Sequence, residues 1–264
     1  MLDVSVVVPA RNAAAWLDEC LEAIGRQEPA EVIVVDGRST DDTVAIARRH
    51  GARVISDEGR GLPVARTLGA EAARCDRVAL IDTDVVLGDG ALAALLEEFE
   101  EGGYAGLQAG LYSIGGPGYW GRALANHHRT GRSVRWFGLV ATVFRRETLL
   151  RHGFDERFLS GEDIELRRRL TRAGARLGVS ERTVVLHRFG DGFAFARDQW
   201  LADGSGLARM LRKDGWRAGW LLALPALAAC RGIGLSLARR EMRWVAYYGC
   251  YMVFNYAGMV RRGT

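Results

Sequence analysis

The stretch ALIDTDVVLG at 79–88 places two aspartates, Asp82 and Asp84, one residue apart where an apolar run gives way to a loop. On a strand, residues i and i+2 share a face, so the two carboxylates point the same way and repel each other. A hard divalent cation with oxygen ligands, Mn2+ or Mg2+, relieves that repulsion, and Mg2+ in particular is often held by one or two carboxylates together with substrate phosphates. A solvated turn accounts for the same pair, since aspartate is common just after strands. A second acidic pair, Glu162–Asp163, follows Gly161 and opens a helical pattern. The helix macrodipole favours carboxylates there, so plain capping explains the pair, while the glycine before it would let a ligand approach the backbone closely. His187 ends the apolar run VVLH and is either structural or a metal-ligating imidazole. Pro9, Ala10 and Arg11 close the first apolar run and lead into a helix, an arrangement suited to a phosphate or a base edge. Asp36 and Gly37, in VVDGRSTDDT, sit at the end of the second run. Asp36 is placed either to accept from a nucleobase or ribose donor or simply to organise the turn.

The elements that must position these residues alternate. Short β-branched runs at 4–9, 31–36, 52–56 and 77–82 read as strands buried on both faces. Between them lie helical patterns: one after Asn12, a candidate N-cap, with Leu17, Leu21 and Ile24 on one face; one from the Ser/Thr/Asp cluster at 39–43 to Gly51; one over 62–73 with Pro63 in its first turn; and one after Asp89, another candidate cap. Strands separated by helices of this length imply βαβ crossovers and a parallel sheet covered on both faces. Ligands bind such sheets beyond the carboxyl ends of the strands. Pro9–Arg11, Asp36–Ser39, Asp57–Gly61 and Asp82–Asp84 all fall there. From 102 to 136 the pattern weakens into glycine-rich, aromatic and basic sequence, with a helix expected through YWGRALANHH. Strand–helix and loop–helix units follow to Gly174, then ARLGV and TVVLHRFG as two further strands.

Composition adds a contrast. The 264 residues carry a net charge of +4, but residues 209–264 hold ten basic and two acidic side chains, which leaves residues 1–208 at −4. Such a basic, aromatic tail points to an anionic surface, and its apolar runs favour phospholipid over nucleic acid. The runs Ala218–Cys230 and Trp244–Val260, the second uncharged over seventeen residues, are short or interrupted for a membrane span. A monotopic tail over 209–264 and a buried homodimer interface or added core layer remain equal readings. The four cysteines form no CxxC, and the N-terminus MLDVSVVVPA enters a strand without a basic leader, so the expected compartment is the reducing cytoplasm, peripheral on the inner membrane face if the tail binds lipid.

Taken in order, VVVPARN, VIVVDGRSTDDT, GRGLPVARTLGA, ALIDTD, FRRETLLRHGFDERFLSGEDIELRRRLTRAG and VLH resemble the family 2 glycosyltransferases over roughly residues 3–190. The resemblance implies a GT-A fold, an α/β Rossmann-like and mostly parallel central sheet with helices on both faces, here extended by the apolar helical tail. It implies a domain over 1–192, with a nucleotide-binding half to about 101 and an acceptor half over about 102–192, followed by the helical region 193–264. It further implies that Pro9, Ala10, Arg11, Asp36, Gly37, Arg66 and Asp82 face a nucleotide-sugar donor, with UDP or GDP as the base carrier. Asp82, Asp84 and His187 would hold Mn2+ or Mg2+, and Asp163 would be the catalytic base. By position, Glu162, Trp120 and His127 fall on the acceptor side. Two departures stand out: Thr67 occupies the usual asparagine position after Arg66, and VDGRS lacks the second acid of the commoner Val-Asp-Asp-Gly-Ser.

The implied reaction is inverting transfer to an acceptor hydroxyl of a glycan or lipid-linked saccharide. An alcohol acceptor needs a base and a phosphate acceptor does not, so GED argues against a polyprenyl-phosphate sugar synthase. DTDVV also fits the nucleophile motif of haloacid-dehalogenase-type phosphatases, but three βα units precede it and Lys213, the lone lysine, has no acidic pair after it. A nucleotide-binding or membrane-scaffolding module with a degenerate site is the non-enzymatic alternative.

Overall fold

The structure is a computed structural model, described here for residues 1–130 and 137–261. The part of the glycine-rich, basic segment at 131–136 and the last residues of the basic tail, 262–264, lie outside the described residues. The chain begins β1 (Leu2–Ala10), α1 (Ala14–Gly25), β2 (Pro29–Asp36), α2 (Thr43–Arg49), β3 (Arg53–Ser56), α3 (Leu62–Ala72), β4 (Arg77–Ile81), β5 (Val85–Val86) and α4 (Ala91–Glu101). It continues β6 (Gly106–Gly115), α5 (Tyr119–Thr130), β7 (Ala141–Arg145), α6 (Arg146–His152), α7 (Glu162–Arg172) and β8 (Leu177–Phe189). The C-terminal helices are α8 (Phe193–Asp214), α9 (Leu224–Ala238) and α10 (Val245–Val260), with 3-10 turns over Gly215–Ala223 and Met242–Trp244.

The eight strands form one sheet in the order β3-β2-β1-β4-β7-β6-β8-β5. β1 pairs in parallel with β2 and β4, and β2 with β3. From β4 onward the sheet turns antiparallel, through β4–β7, β6–β7 and β5–β8. Alternation along β1 feeds two cores. Val4, Val6 and Val8 pack with Leu17, Leu21 and Ile24 of α1 and Leu92, Leu95 and Phe99 of α4. Val7 packs on the other face with Ala65 and Ala70 of α3 and Leu166 and Leu170 of α7. Helices therefore cover both faces, as the buried β-branched runs require.

Compactness divides the described residues into one unit of 1–112, 137–159 and 163–187 and another of 113–130, 160–162 and 188–261. The expected boundary after 192 falls inside the second unit. That unit has its own core, in which Trp200, Trp244, Tyr247 and Tyr248 pack with Ala123, Leu124 and Ala125 of α5. α8 and α10 approach backbone to backbone: a Cβ on Gly204 would lie 1.9 Å from the Asn255 carbonyl oxygen, and one on Gly258 would lie 2.3 Å from that of Leu201.

Four local expectations are corrected. Asn12 does not cap α1; it adopts φ 49° and its Oδ1 accepts from the Thr40 amide at 2.9 Å. The amides at the start of α1 instead donate to the N-terminal approach of α2, Ala13 to Thr43 Oγ1 at 2.8 Å and Ala14 to Asp41 Oδ2 at 3.1 Å. Asp89 likewise leaves the start of α4 to Gln27, whose Oε1 accepts from Leu92 at 3.2 Å. ARLGV and TVVLHRFG belong to the single strand β8, because Ser180 Oγ accepts the amides of Arg182 and Thr183 and carries the chain through its polar middle. The glycine-rich start of the weak segment is itself a strand, β6.

Candidate functional site

The sheet order reverses beside β1: the chain runs outward through β2 and β3, then returns to place β4 on the other side of β1. Such a switch point opens a crevice beyond the carboxyl ends of the strands. Pro9 and Ala10 end β1 there, Asp36 ends β2, and Asp82 follows β4 directly.

Around the first two strand ends the backbone is tightly organised. The Gly37 amide donates to the Ala10 carbonyl at 2.8 Å. Asp36 is buried, and its carboxylate accepts from the amides of Arg38 at 3.1 Å and Ser39 at 3.2 Å. The turn-organising reading of Asp36 is therefore the one its hydrogen bonds display. Asp57, buried at the end of β3, accepts from the amides of Gly59 at 2.7 Å and Gly61 at 3.0 Å. Gly61 has φ 102°, and a Cβ there would come 2.8 Å from Leu159 Cδ2. These loops enclose a cavity of about 340 Å³ lined by Pro9, Ala10, Arg11, Gly37, Asp57, Arg60, Gly61 and Leu159, among others. The loop Asp57–Gly61 was expected at this rim; the role of Asp57 within it was not, and its signal is the acid two and four residues before Gly59 and Gly61, the pattern of an Asx turn.

At β4 the two aspartates part company. Asp82 Oδ1 accepts from Arg66 Nη2 at 3.0 Å, and Arg66 is only 1% exposed. The guanidinium is thus directed at Asp82, which gives Arg66 a positioning role and offsets part of the like-charge repulsion. The Asp82 amide donates to the Val140 carbonyl at 2.9 Å and its own carbonyl accepts from Val85 at 3.1 Å, which closes a tight turn. That turn feeds β5, whose Val85 pairs with His187 on β8. The pairing carries Asp84 across 103 residues of sequence to the imidazole: Asp84 Oδ2 lies 3.5 Å from His187 Nε2. His187 is buried, and Asp84 Oδ1 is a buried oxygen that accepts no hydrogen bond.

An orphaned carboxylate oxygen beside a buried imidazole suits a divalent cation. Two ligands on one octahedral ion stand about 3 Å apart, a little closer than this pair. No group of three His, Cys, Asp or Glu side chains able to hold a metal occurs among the described residues. The chain therefore fits a cation through Asp84 and His187, and the remaining positions suit water and donor phosphates, as is usual for Mg2+.

The GED pair is split between the units. Gly161 adopts φ 81°, and a Cβ on it would meet Gly206 Cα at 3.1 Å. The close approach that the structure displays is to the protein's own backbone. Glu162 is buried as the first residue of α7, and Asp163, the second, is half-buried and groups with the unit that holds Asp82, Asp84 and His187. Glu165 on the same helix is buried and binds Arg169 through both oxygens at 2.6 and 2.7 Å, while that arginine also donates to the carbonyls of His152 and Gly153. This pair locks the helix that carries Asp163.

Two residues expected on the acceptor side serve the second unit's core. Trp120 packs edge-on to Trp200 and against Phe193. The His127 ring lies 5.1–5.7 Å from the rings of Tyr247, Tyr248 and Tyr251. Burial among them, with repulsion from Arg231, holds its pKa down at about 4, so it is neutral at pH 7. Its surroundings are packing contacts, a correction the helix pattern alone did not foreshadow. Asp191, also unforeseen, holds the start of α5 by accepting from the amides of Gly118 and of Gly121, the latter at 3.0 Å.

Comparison with known proteins bears on the fold and the family. An uncharacterised glycosyltransferase of Mycobacterium tuberculosis is 40% identical over 101 residues, 38% of this chain and 44% of its own length. A 4,4'-diaponeurosporenoate glycosyltransferase of Staphylococcus aureus is 32% identical over 111 residues, 39% of this chain and 30% of its own. The chain thus spans less than half of the curated relatives it matches. Among solved structures, a mannosyltransferase of Pyrobaculum calidifontis, in complex with GDP-mannose and Mn2+, superposes with TM-score 0.71 at 20% identity over 99% of this chain and 88% of that one. Glucosyl-3-phosphoglycerate synthase of Mycobacterium tuberculosis, in complex with Mn2+, UDP and glucosyl-3-phosphoglycerate, gives TM-score 0.59 at 23% identity over 79% and 78%. At these identities the likeness is one of fold, and it establishes the mixed α/β architecture. Residues 5–159, more than half of the sequence, match glycosyl transferase family 2, and the chain belongs to that family.

Proposed function

We propose that the protein transfers a sugar from a nucleoside-diphosphate sugar to an acceptor hydroxyl, on a glycan or a lipid-linked saccharide, with inversion at the anomeric carbon. One observation carries this reading: Asp84, with its orphaned Oδ1, meets His187 beside the Arg66-held Asp82 at the sheet's switch point. The cavity lined by Pro9, Ala10, Arg11 and Gly37 would take the nucleoside, and complexes of the structural relatives with GDP-mannose or UDP support UDP or GDP as the carrier. Asp84 and His187 would hold Mn2+ or Mg2+, with Asp82 oriented toward the donor by Arg66. When bound, the cation supplies charge neutralisation for the departing diphosphate. Asp163 would accept the proton of the acceptor hydroxyl, and its position on a helix locked by Glu165–Arg169 keeps that carboxylate in register. A base on the face opposite the leaving group gives direct displacement and hence inversion.

The test is a thermal-shift and turnover screen of UDP-, GDP- and dTDP-sugars with and without Mn2+. The expected result is metal-dependent stabilisation and hydrolysis or transfer with one nucleotide class, lost in Asp84→Ala. Nucleotide-sugar binding indifferent to metal and to Asp84→Ala would indicate a binding module instead. Phosphate release from phosphomonoesters would indicate a phosphatase.

A further inference from the structure

In the second unit, α9 and the 3-10 turn before it turn apolar side chains outward. α9 buries Pro225, Ala229, Gly232 and Ser236, small residues spaced along one stripe, and Gly232 fits directly against the Tyr248 ring. Its exposed side carries Leu227 at 62% and Leu237 at 52% exposure, with Arg231 and Gly234 also exposed between them. A surface helix in water ordinarily shows the reverse arrangement. The preceding 3-10 turn buries Ala218 and Leu221 and exposes Trp216 at 87%, together with Trp220 and Leu222. From Gly215 to Arg240 there is no acidic residue. Arginines predominate at its borders: Arg212 and Arg217 at its start, beside the single acid Asp214, and Arg239, Arg240 and Arg243 at its end, where Glu241 pairs with Arg243 at 3.6 Å. Arg217 lies over the exposed Trp216 ring, 5.9 Å from its centroid.

We infer that this face, the 3-10 turn from Gly215 with the Leu227/Leu237 stripe of α9, docks on an anionic phospholipid surface. The charge pattern selects that occupant. Exposed tryptophans and leucines among arginines match the boundary between acyl chains and anionic headgroups, where each arginine near the surface adds attraction. In a symmetric pairing of two copies the same arginines would face their like across the axis, which opposes association. The helical stretch Phe193–Ala238 contains a window long and apolar enough to cross a bilayer by length and composition. Its small-residue stripe is nevertheless committed to the protein's own core, so only one side is free for lipid, and the helices lie in the interface rather than across it. This inference is independent of the transferase chemistry.

The test is flotation of the full chain with vesicles of phosphatidylcholine alone and of phosphatidylcholine with one third phosphatidylglycerol. The comparison includes a Trp216→Ala/Trp220→Ala variant and an Arg239→Gln/Arg240→Gln variant. All four side chains are exposed, so thermal unfolding should be unchanged and verifies folding. The protein should float with the anionic vesicles, weaken as salt rises, and lose most of its binding in the tryptophan variant. Each arginine removed should lower partitioning about fivefold. Failure of the wild-type chain to float, or equal flotation of the tryptophan variant, would overturn the inference. So would a dimer in vesicle-free sedimentation that the tryptophan variant abolishes, which would assign the face to a second copy.

Discussion

At the strand ends of the first unit, the buried Asp36 and Asp57 and the half-buried Asp82 concentrate charge, and each is held by named donors: two turn amides, two glycine amides and the Arg66 guanidinium. The interior of the second unit is filled instead by Trp200, Tyr247, Tyr248 and Tyr251, and its His127 is kept neutral by those rings. The first arrangement fixes the positions of charged oxygens. The second packs aromatic side chains at its centre and relies on close approach of helices. Polar preorganisation and aromatic packing therefore occupy different units, and substitutions should separate them.

The largest effect should come from Asp163→Asn. Loss of the proposed base should lower turnover by about 10²–10⁴-fold, with donor affinity and melting temperature little changed. An equal loss of donor binding would place Asp163 in the donor site and blur the division. Arg66→Met comes next. It strips Asp82 of its buried partner and should destabilise the fold by about 2–3 kcal/mol in chemical denaturation, below the about 3–5 kcal/mol of a fully buried pair because Asp82 stays partly solvated. An unchanged denaturation midpoint would show that the pair contributes nothing.

In the second unit, Gly204→Ala would press a methyl group against the Asn255 carbonyl and should cost about 1–3 kcal/mol. Metal-dependent nucleotide binding should survive it; if binding fell in parallel with stability, the two units would not be separable in this way. The smallest effect concerns pH. The folded-state pKa of His127 is depressed to about 4, against about 6.5 when unfolded. The unfolded chain thus takes up the proton first, so stability is fully present above pH 6.5 and declines as pH falls toward 4. At pH 5 the difference should be about 1–2 kcal/mol, and His127→Phe should lose less stability than the wild-type protein between pH 7.5 and 5. A variant with the same pH dependence would contradict the enclosure of that ring.

The same contrast explains what could be read from the residues. The strands around Val6, Ile33 and Leu80 are runs of β-branched and aliphatic side chains buried on both faces, and their ends announce the loops that carry Pro9, Asp36 and Asp82. The DxD spacing of Asp82 and Asp84 was equally visible. What could not be read depends on partners remote in the chain. The amides at the start of α1 are satisfied by Asp41 and Thr43, not by the adjacent Asn12. Repulsion between Asp82 and Asp84 suggested a cation, but half of the answer is Arg66, sixteen residues earlier. β6 was obscured by Gly106 and Gly110, which look like loop residues; a Cβ on Gly110 would come 3.0 Å from the Ser180 carbonyl, so the glycine permits the strands to approach. His127 sits on a helix whose pattern was legible, but the tyrosines that enclose it come from α10, more than a hundred residues later.

The most direct test of the central claim is titration of Mn2+ into the protein with UDP or GDP present, followed by electron paramagnetic resonance, for the wild-type chain, Asp84→Asn and His187→Phe. Second-shell changes at metal sites typically cost about 10–100-fold in affinity, and removal of a direct ligand should cost at least as much. The expected result is one Mn2+ bound with the nucleoside diphosphate in the wild-type protein and weakened at least tenfold in each variant, with melting temperatures little altered. Undiminished Mn2+ binding in both variants would show that Asp84 and His187 do not hold the metal.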